Sequence, residues 1–479
     1  MSITKISTPS DWARVNDTNR MTYYFSSDKW NEPNYQFYFN MRVYNVDGTY
    51  TDCGNYKLFP DSGGTVEFNP ASIYKNFFNT QINLSRTALD EEITGARKTQ
   101  LFVYDYYGTP PEKKTSGGWS ETTLLNCYDG CQQNIPYDYA ALNAPLQNLQ
   151  WVMSGVTGGQ GKFLTDTNNY RMDNTDYGFL YALGPKDGGR PDRIKYTIYY
   201  WTIVQNPCPD GPSGIIGLTP DYMNGENQSQ ALTMQSDYIY MDTGVTLGNY
   251  SDGEPGGGGQ PVPSKSGITQ SILYDTSISF HYDNSLKYYF PMGPYQCINN
   301  GILSGYTNRW VYYDIDLYNG TKLLNKVPFR VYKQDKCLKY DPWQLFWLNP
   351  HGGYDTFTFT AKKDIVHKIS RETYKQKLDK YSYNTYAAGE KVFNTSVVEE
   401  ITLRTHSITQ QEAQLLMQLA ECPVVYVLRT YKYGGTVYPY GVPYIPITDT
   451  ATYPIKKNDK EIYFEIKIRP SNQKIIQKQ

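Results

Sequence analysis

Gln36-Phe37-Tyr38-Phe39-Asn40-Met41-Arg42-Val43-Tyr44 alternates without a break. Phe37, Phe39, Met41 and Val43 point one way, and Gln36, Tyr38, Asn40 and Arg42 point the other. A period of two is the mark of a strand with one packed and one wet face. Asp47-Gly48 follows as the turn that a hairpin needs. The same alternation places Ile194, Tyr196, Ile198 and Tyr200 on one face of residues 194–201. In residues 461–468, Ile462, Phe464, Ile466 and Ile468 alternate with Glu461, Tyr463, Glu465 and Lys467, and residues 356–361 give a shorter version. The spacing predicts an all-β protein of antiparallel strands, organised as several β-sandwich, Ig-like domains with a few short accessory helices.

Helical signals are few. The clearest spans 409–420, opening on a T-x-x-E capping box (Thr409, Glu412). Ala413, Leu416, Leu419 and Ala420 form its apolar stripe, and Cys422-Pro423 closes it. A second helix is expected over 69–79, with Pro70 in its first turn.

At 479 residues the chain is long enough for about three domains of roughly 150 residues. Two stretches rich in Pro and Gly, 206–217 and 251–267, cannot hold a core and read as linkers or exposed loops. The expected division is an N-terminal β-sandwich over 1–145, a second sandwich over 146–335 carrying the 251–267 loop, and a C-terminal β domain over 336–479.

The distinctive residue is tyrosine, present 48 times. A large apolar face with a polar tip suits half-buried strands and broad contact surfaces. Lys and Arg number 45 against 47 Asp and Glu, for a net charge of −2 without a basic block. Nucleic acid is therefore not an expected partner. The opening Met1-Ser2-Ile3-Thr4-Lys5 has no apolar h-region, so no secretory signal is expected, and no run is apolar enough for membrane insertion. Seven cysteines (Cys53, Cys127, Cys131, Cys208, Cys297, Cys337, Cys422) form an odd and scattered set, which reads as reduced thiols made in a cytoplasm.

Candidate chemistry thins out on inspection. In 155–165 Gly161-Lys162 is followed by Phe163, where a phosphate-binding loop needs Ser or Thr, so a turn into a strand is expected. Cys127 and Cys131 form a lone CxxxC. His281, His351, His367 and His406 have no partner at metal-ligand spacing. Asp314 and Asp316 share one strand face and are the only carboxylates nominated for glycosidase work, although a solvated face explains them as well. The Asp-rich turns at 173–176 and 187–189 depart from the calcium-loop pattern. No catalytic residue, cofactor site or metal site is expected. Trp343, Phe346 and Trp347, the turn Asn349-Pro350-His351-Gly352-Gly353, and the returning Phe357 and Phe359 read as a hairpin-like core element.

Five segments in order resemble a known family. They are 16–44 with the later FNPASIYKNFF (68–78); GKFLT (161–165) with DYGFLY (176–181); FPMGP (290–294); LFWLNPHGGYDTFTF (345–359); and 408–428. Together they are similar to tail-associated structural proteins of tailed phages infecting Bacteroidetes, including crAss-like podophages. The resemblance implies β-sandwich domains assembled in a virion tail (a muzzle, hub or decorating position) without enzymatic activity. It also implies other virion proteins, or copies of itself in a symmetric ring, as partners after assembly in the host cytoplasm. A receptor- or glycan-binding module at the tail tip and a polysaccharide hydrolase are the alternatives carried forward.

Overall fold

The computed structural model describes residues 2–9, 12–15, 21–82, 84, 90–121, 124–129, 152–153, 161–184, 191, 193–200, 270–275, 286–307, 310–334, 340–375, 390–433, 436–447 and 462–472. The fold is all-β, with several sheets and a few short helices. Loops 206–217 and 251–267, the 187–189 turn, His281, Cys131, Cys208 and Cys337 lie outside the described residues. The chain gathers into two compact units, Met1–Cys337 with Asn349–Asp355, and Leu338–Leu348 with Thr356–Gln479. Three domains were expected; the boundary expected near 145 lies outside the described residues, and the first unit spans both sides of it.

In the first unit, Phe37, Phe39, Met41 and Val43 are fully buried on strand Gln36–Tyr44, as the alternation requires. That strand lies in a six-stranded sheet, ordered Ala13–Arg14, Leu125–Tyr128, Ala96–Gly108, Gln36–Tyr44 and Tyr50–Leu58, with Pro111–Ser120 also pairing Ala96–Gly108. A three-stranded sheet of Ile3–Ser7, Tyr23–Ser27 and Thr65–Phe68 packs against it. Tyr23, Phe25 and Phe68 enter one core with Phe37, Phe39 and Leu101. The Phe39 and Phe68 rings stack with centroids 4.1 Å apart, and each such buried aromatic contributes about 2–3 kcal/mol. This is a β-sandwich.

The helix expected over 69–79 is shorter. One α-turn, Ala71–Tyr74, leads into a 3-10 turn, Lys75–Phe77. Pro70 is its N-cap and lies just outside the first turn, while Asn69 Oδ1 accepts the Ala71 amide at 2.9 Å. Burial of Tyr74 and Phe78 outweighs the weak helix propensity of this aromatic stretch and draws the chain back to extended backbone.

Residues 161–334 build two further sheets. One runs Asn169–Met172, Phe329–Lys333, Trp310–Asn319, Arg193–Tyr200 and Gln270–Asp275, with Lys322–Leu323 beside Trp310–Asn319. The other runs Phe179–Leu183, Lys287–Pro291 and Asp90–Glu91, so a strand from the N-terminal block completes a sheet of the middle one. Ile194, Tyr196 and Ile198 are buried together, whereas a bulge at Tyr199/Tyr200 ends the expected run. The Tyr196 hydroxyl donates to the Pro291 carbonyl across the sheets at 2.8 Å. Gly161 forms an isolated bridge to Asn325, and Phe163 beyond it packs on Phe290 and Phe329.

The second unit is one seven-stranded antiparallel sheet. Its order is Tyr354–Phe359, Trp343–Leu348, Val425–Tyr433, Thr436–Pro446, Glu465–Pro470, Glu390–Arg404 and Asp364–Lys375. Helix Gln410–Glu421 carries the complete capping box, Thr409 with Glu412, and buries Ala413, Leu415, Leu416, Gln418 and Leu419. The strand expected over 461–468 begins later and runs Glu465–Pro470, while Ile462 and Phe464 are buried just ahead of it. Among the described residues no helix is long and apolar enough to cross a membrane.

Candidate functional site

The nominated carboxylates Asp314 and Asp316 do share a strand face, and both have local partners. Arg330 on the neighbouring strand grips Asp314 through Nε at 2.7 Å and Nη2 at 3.0 Å. Asp316 lies opposite Lys195 and accepts from Asn325 Nδ2 at 3.0 Å. Burial raises the Asp316 carboxyl above the usual range, and Asn325 opposes that rise. A bidentate arginine fixes a carboxylate in place, so this pair is cross-strand glue. In the 173–176 turn, Asp176 Oδ2 accepts the Asp173 amide and Asp173 Oδ1 accepts the Thr175 amide, so their oxygens serve the turn. Among the described residues no group of three or more His, Cys, Asp or Glu is placed to hold a metal ion.

The aromatic stretch around residue 350 holds more than a core hairpin. Trp343, Phe346 and Trp347 are buried in the second unit, as expected. Residues Asn349–Asp355, however, belong to the first unit and carry a buried polar cluster that the sequence reading missed. Lys287, fully buried, donates to the Gly352 carbonyl at 2.5 Å and to Thr80 Oγ1 at 2.6 Å. Burial lowers the Lys287 ammonium pKa, while Glu92 and Asp129 oppose that fall. His351 sits between Asp166, 2.6 Å from Nε2, and Arg14, whose Nη2 is 3.5 Å from Nδ1. Arginine only donates, so Nδ1 accepts and Nε2 carries the hydrogen that Asp166 receives. Asp355 accepts from the Tyr170 hydroxyl at 2.6 Å, yet burial pushes its carboxyl up to about 7. Asn349 closes the turn by accepting the His351 and Gly353 amides.

These groups are reactive types, but Lys287 and Asp355 are about 0% and 1% exposed; Lys287 is spent on Gly352 and Thr80, while Asp355 accepts through Oδ1 and its Oδ2 is buried without a hydrogen bond. The cluster ties segments near 14, 80, 129, 166, 287 and 352 together inside the first unit. Its chemistry is that of a clamp.

The exposed face of the second unit has a different character. Two long hairpins leave its sheet, Asp364–Lys375 with Glu390–Arg404 and Val425–Tyr433 with Thr436–Pro446. Between them lies the short strand Glu465–Pro470, paired to both through Ile401↔Ile468 and Tyr444↔Pro470. From those registers, the two hairpin tips project past the same Pro470 end, so the sheet is forked. Past Pro470, Ser471 still donates its amide to the Pro443 carbonyl at 3.2 Å. A cleft of about 270 Å³ at the fork is lined by Val397, Tyr444, Ile445, Arg469 and Pro470.

On both prongs the core face of the sheet continues beyond the core. Val425 and Val427 are buried; farther out on that face, Tyr431, Tyr433, Tyr438 and Tyr440 are exposed, with the rings of Tyr431 and Tyr438 stacked 5.1 Å apart. On the other prong, buried Leu403 and Ile401 give way to Ile365 and Ile369, about half exposed. Alternation normally marks a face that something covers, and contiguous exposed apolar surface marks interaction sites. Tyrosine content alone signals contact surface without saying where on the chain it lies. The signal available was the alternation of 425–444 running on past the valines.

The sequence matches no family model and no curated protein.

Proposed function

We propose that this chain is a non-enzymatic structural component of a bacteriophage virion, part of the tail or a tail-attached assembly, put together in the host cytoplasm. The observation that carries the assembly reading is the forked sheet, whose core face runs out along both prongs as exposed Ile, Val and Tyr. Such a face is suited to burial against neighbours across interfaces of about 1,000 Å² or more. Placement in a phage tail rests on the order of the five sequence segments. Asp314 held by Arg330, and a reactive-looking cluster sealed around Lys287, speak against hydrolysis.

The test is mass spectrometry of purified particles combined with lysine cross-linking. The expected result is a stoichiometric chain with cross-links from Lys368, Lys375 or Lys432 to other virion proteins; absence from mature particles would sink the reading. Exposed stacked tyrosines also suit sugar rings, which favours a glycan-binding tip as the second reading. Glycan-array binding lost on Tyr431→Ala would promote it.

A further inference from the structure

The outer strand of one prong, Asp364–Lys375, ends the sheet order and pairs only with Glu390–Arg404 among the described residues. Its twelve residues run about 40 Å at ~3.4 Å each, and all but Asp364 are exposed. The hairpin's bulge, at Glu372/Thr373, places the extra residue, Phe393, on the inner strand, so the outer edge stays regular. No proline interrupts it. Long regular edges of this kind are templates for another strand.

We infer that two copies of this chain pair antiparallel through Asp364–Lys375, about a two-fold axis at Ser370. The inference rests on the reading of the prongs as assembly surfaces and names the partner for one of them. A two-fold axis perpendicular to a sheet keeps side-chain faces, so each residue meets one of the same parity. Centred on Ser370, the pairing sets Lys368 against Glu372 twice, Val366 against Tyr374 twice, and Ser370 against itself. On the opposite face Ile369 meets Arg371 and lies diagonal to the second Ile369, while His367 meets Thr373 and Ile365 meets the stem of Lys375. No like charges are opposed. Neighbouring registers are worse: a centre at Lys368, Arg371 or Glu372 opposes that charge to itself. A centre at Ile369 opposes no like charges but loses the Lys368–Glu372 pairs, setting Glu372 against Val366 and Lys368 against Ser370.

Ser370 is also the middle of the strand, so this register uses nearly its full length. Charged side chains ordinarily guard an edge against pairing. Here they admit one register, because Lys368, already 2.5 Å from Glu400 within its own hairpin, has further donors for the second copy's Glu372. The result is a closed, isologous dimer that joins two seven-stranded sheets into one.

The full chain carrying Ser370→Cys is expected to form a disulfide-linked dimer under mild oxidation, because paired Cβ atoms lie about 5 Å apart. Arg371→Cys, out of register with itself, is expected to cross-link at least tenfold less. Glu372→Lys and Lys368→Glu, each checked for its wild-type circular dichroism, are expected to sediment as monomers and to form a dimer when mixed. A monomeric Ser370→Cys chain, equal cross-linking by both cysteines, or unchanged sedimentation of Glu372→Lys would overturn the pairing. Presence in particles together with a monomeric Ser370→Cys protein would defeat this inference and leave the assembly reading standing. A dimer that is missing from particles would do the reverse.

Discussion

Gly352→Ala gives the sharpest test of the buried clamp. Gly352 has φ +85°, a backbone conformation that costs a residue with a side chain about 1–3 kcal/mol. A Cβ at this position would also overlap the backbone carbonyl of Asp129, which has no flexible end to swing aside. The turn must then move, and its carbonyl leaves Lys287. Losing a buried hydrogen-bond partner costs about 1–3 kcal/mol more. The two effects together predict a loss of about 2–6 kcal/mol from the first unit. Gly301, in the same unit with φ +82°, has nothing within 4 Å of its Cβ position, so Gly301→Ala carries the conformational cost alone. Hydrogen exchange of peptides containing Lys287–Pro291 reads the opening free energy of the first unit directly. Exchange through opening is expected to quicken roughly 10–100-fold more in Gly352→Ala than in Gly301→Ala, at ~1.4 kcal/mol per decade. Equal exchange in the two variants would refute the steric argument.

Three other outcomes are expected. Asp355 is pushed up to about 7 by burial, against a carboxyl near 3.9 in the unfolded chain. The folded pKa is the higher, so its contribution is most favourable below about pH 4 and is lost as pH rises towards about 7. Asp355→Asn should flatten that slope in urea unfolding of the first unit, and an unchanged slope would show that Asp355 is not its source. Thr409→Ala removes the reciprocal cap of helix Gln410–Glu421 and should cost the second unit about 1 kcal/mol in the same measurement; no loss would mean that the cap is replaced by water. Cys53, Cys127, Cys297 and Cys422 are buried and carry no disulfide, and burial pushes the thiols of Cys53 and Cys297 up to about 11 and about 12. At neutral pH none of the four should react with a maleimide until urea unfolds the chain; fast labelling of any would contradict its burial.

The strands were legible where one face meets a core and the other meets water, because burial then writes itself as a period of two. Gln36–Tyr44 and Arg193–Tyr200 show this. The helix at Gln410–Glu421 was legible from its cap, since Thr409 and Glu412 satisfy each other locally. The 69–79 helix was overestimated because Tyr74 and Phe78 answer to a distant core. The clamp was not legible. Lys287, Thr80, Asp129 and Gly352 are separated by tens to hundreds of residues, and a lysine ahead of Tyr-Tyr-Phe reads as a strand end. The prongs were half legible: alternation showed the strands, but only three-dimensional pairing shows where the core stops.

The chain leaves the first unit at Cys337 and returns to it for Asn349–Asp355. On the ribosome, the nascent first unit therefore cannot close when its own strands have been made. Lys287 waits for a carbonyl synthesised 65 residues later, from a turn that lies beyond the chain's first departure from the unit. Cutting the gene at the apparent border would leave Lys287 with Thr80 and without its Gly352 acceptor, so the interior of the first unit is completed only by chain made after the border has been crossed.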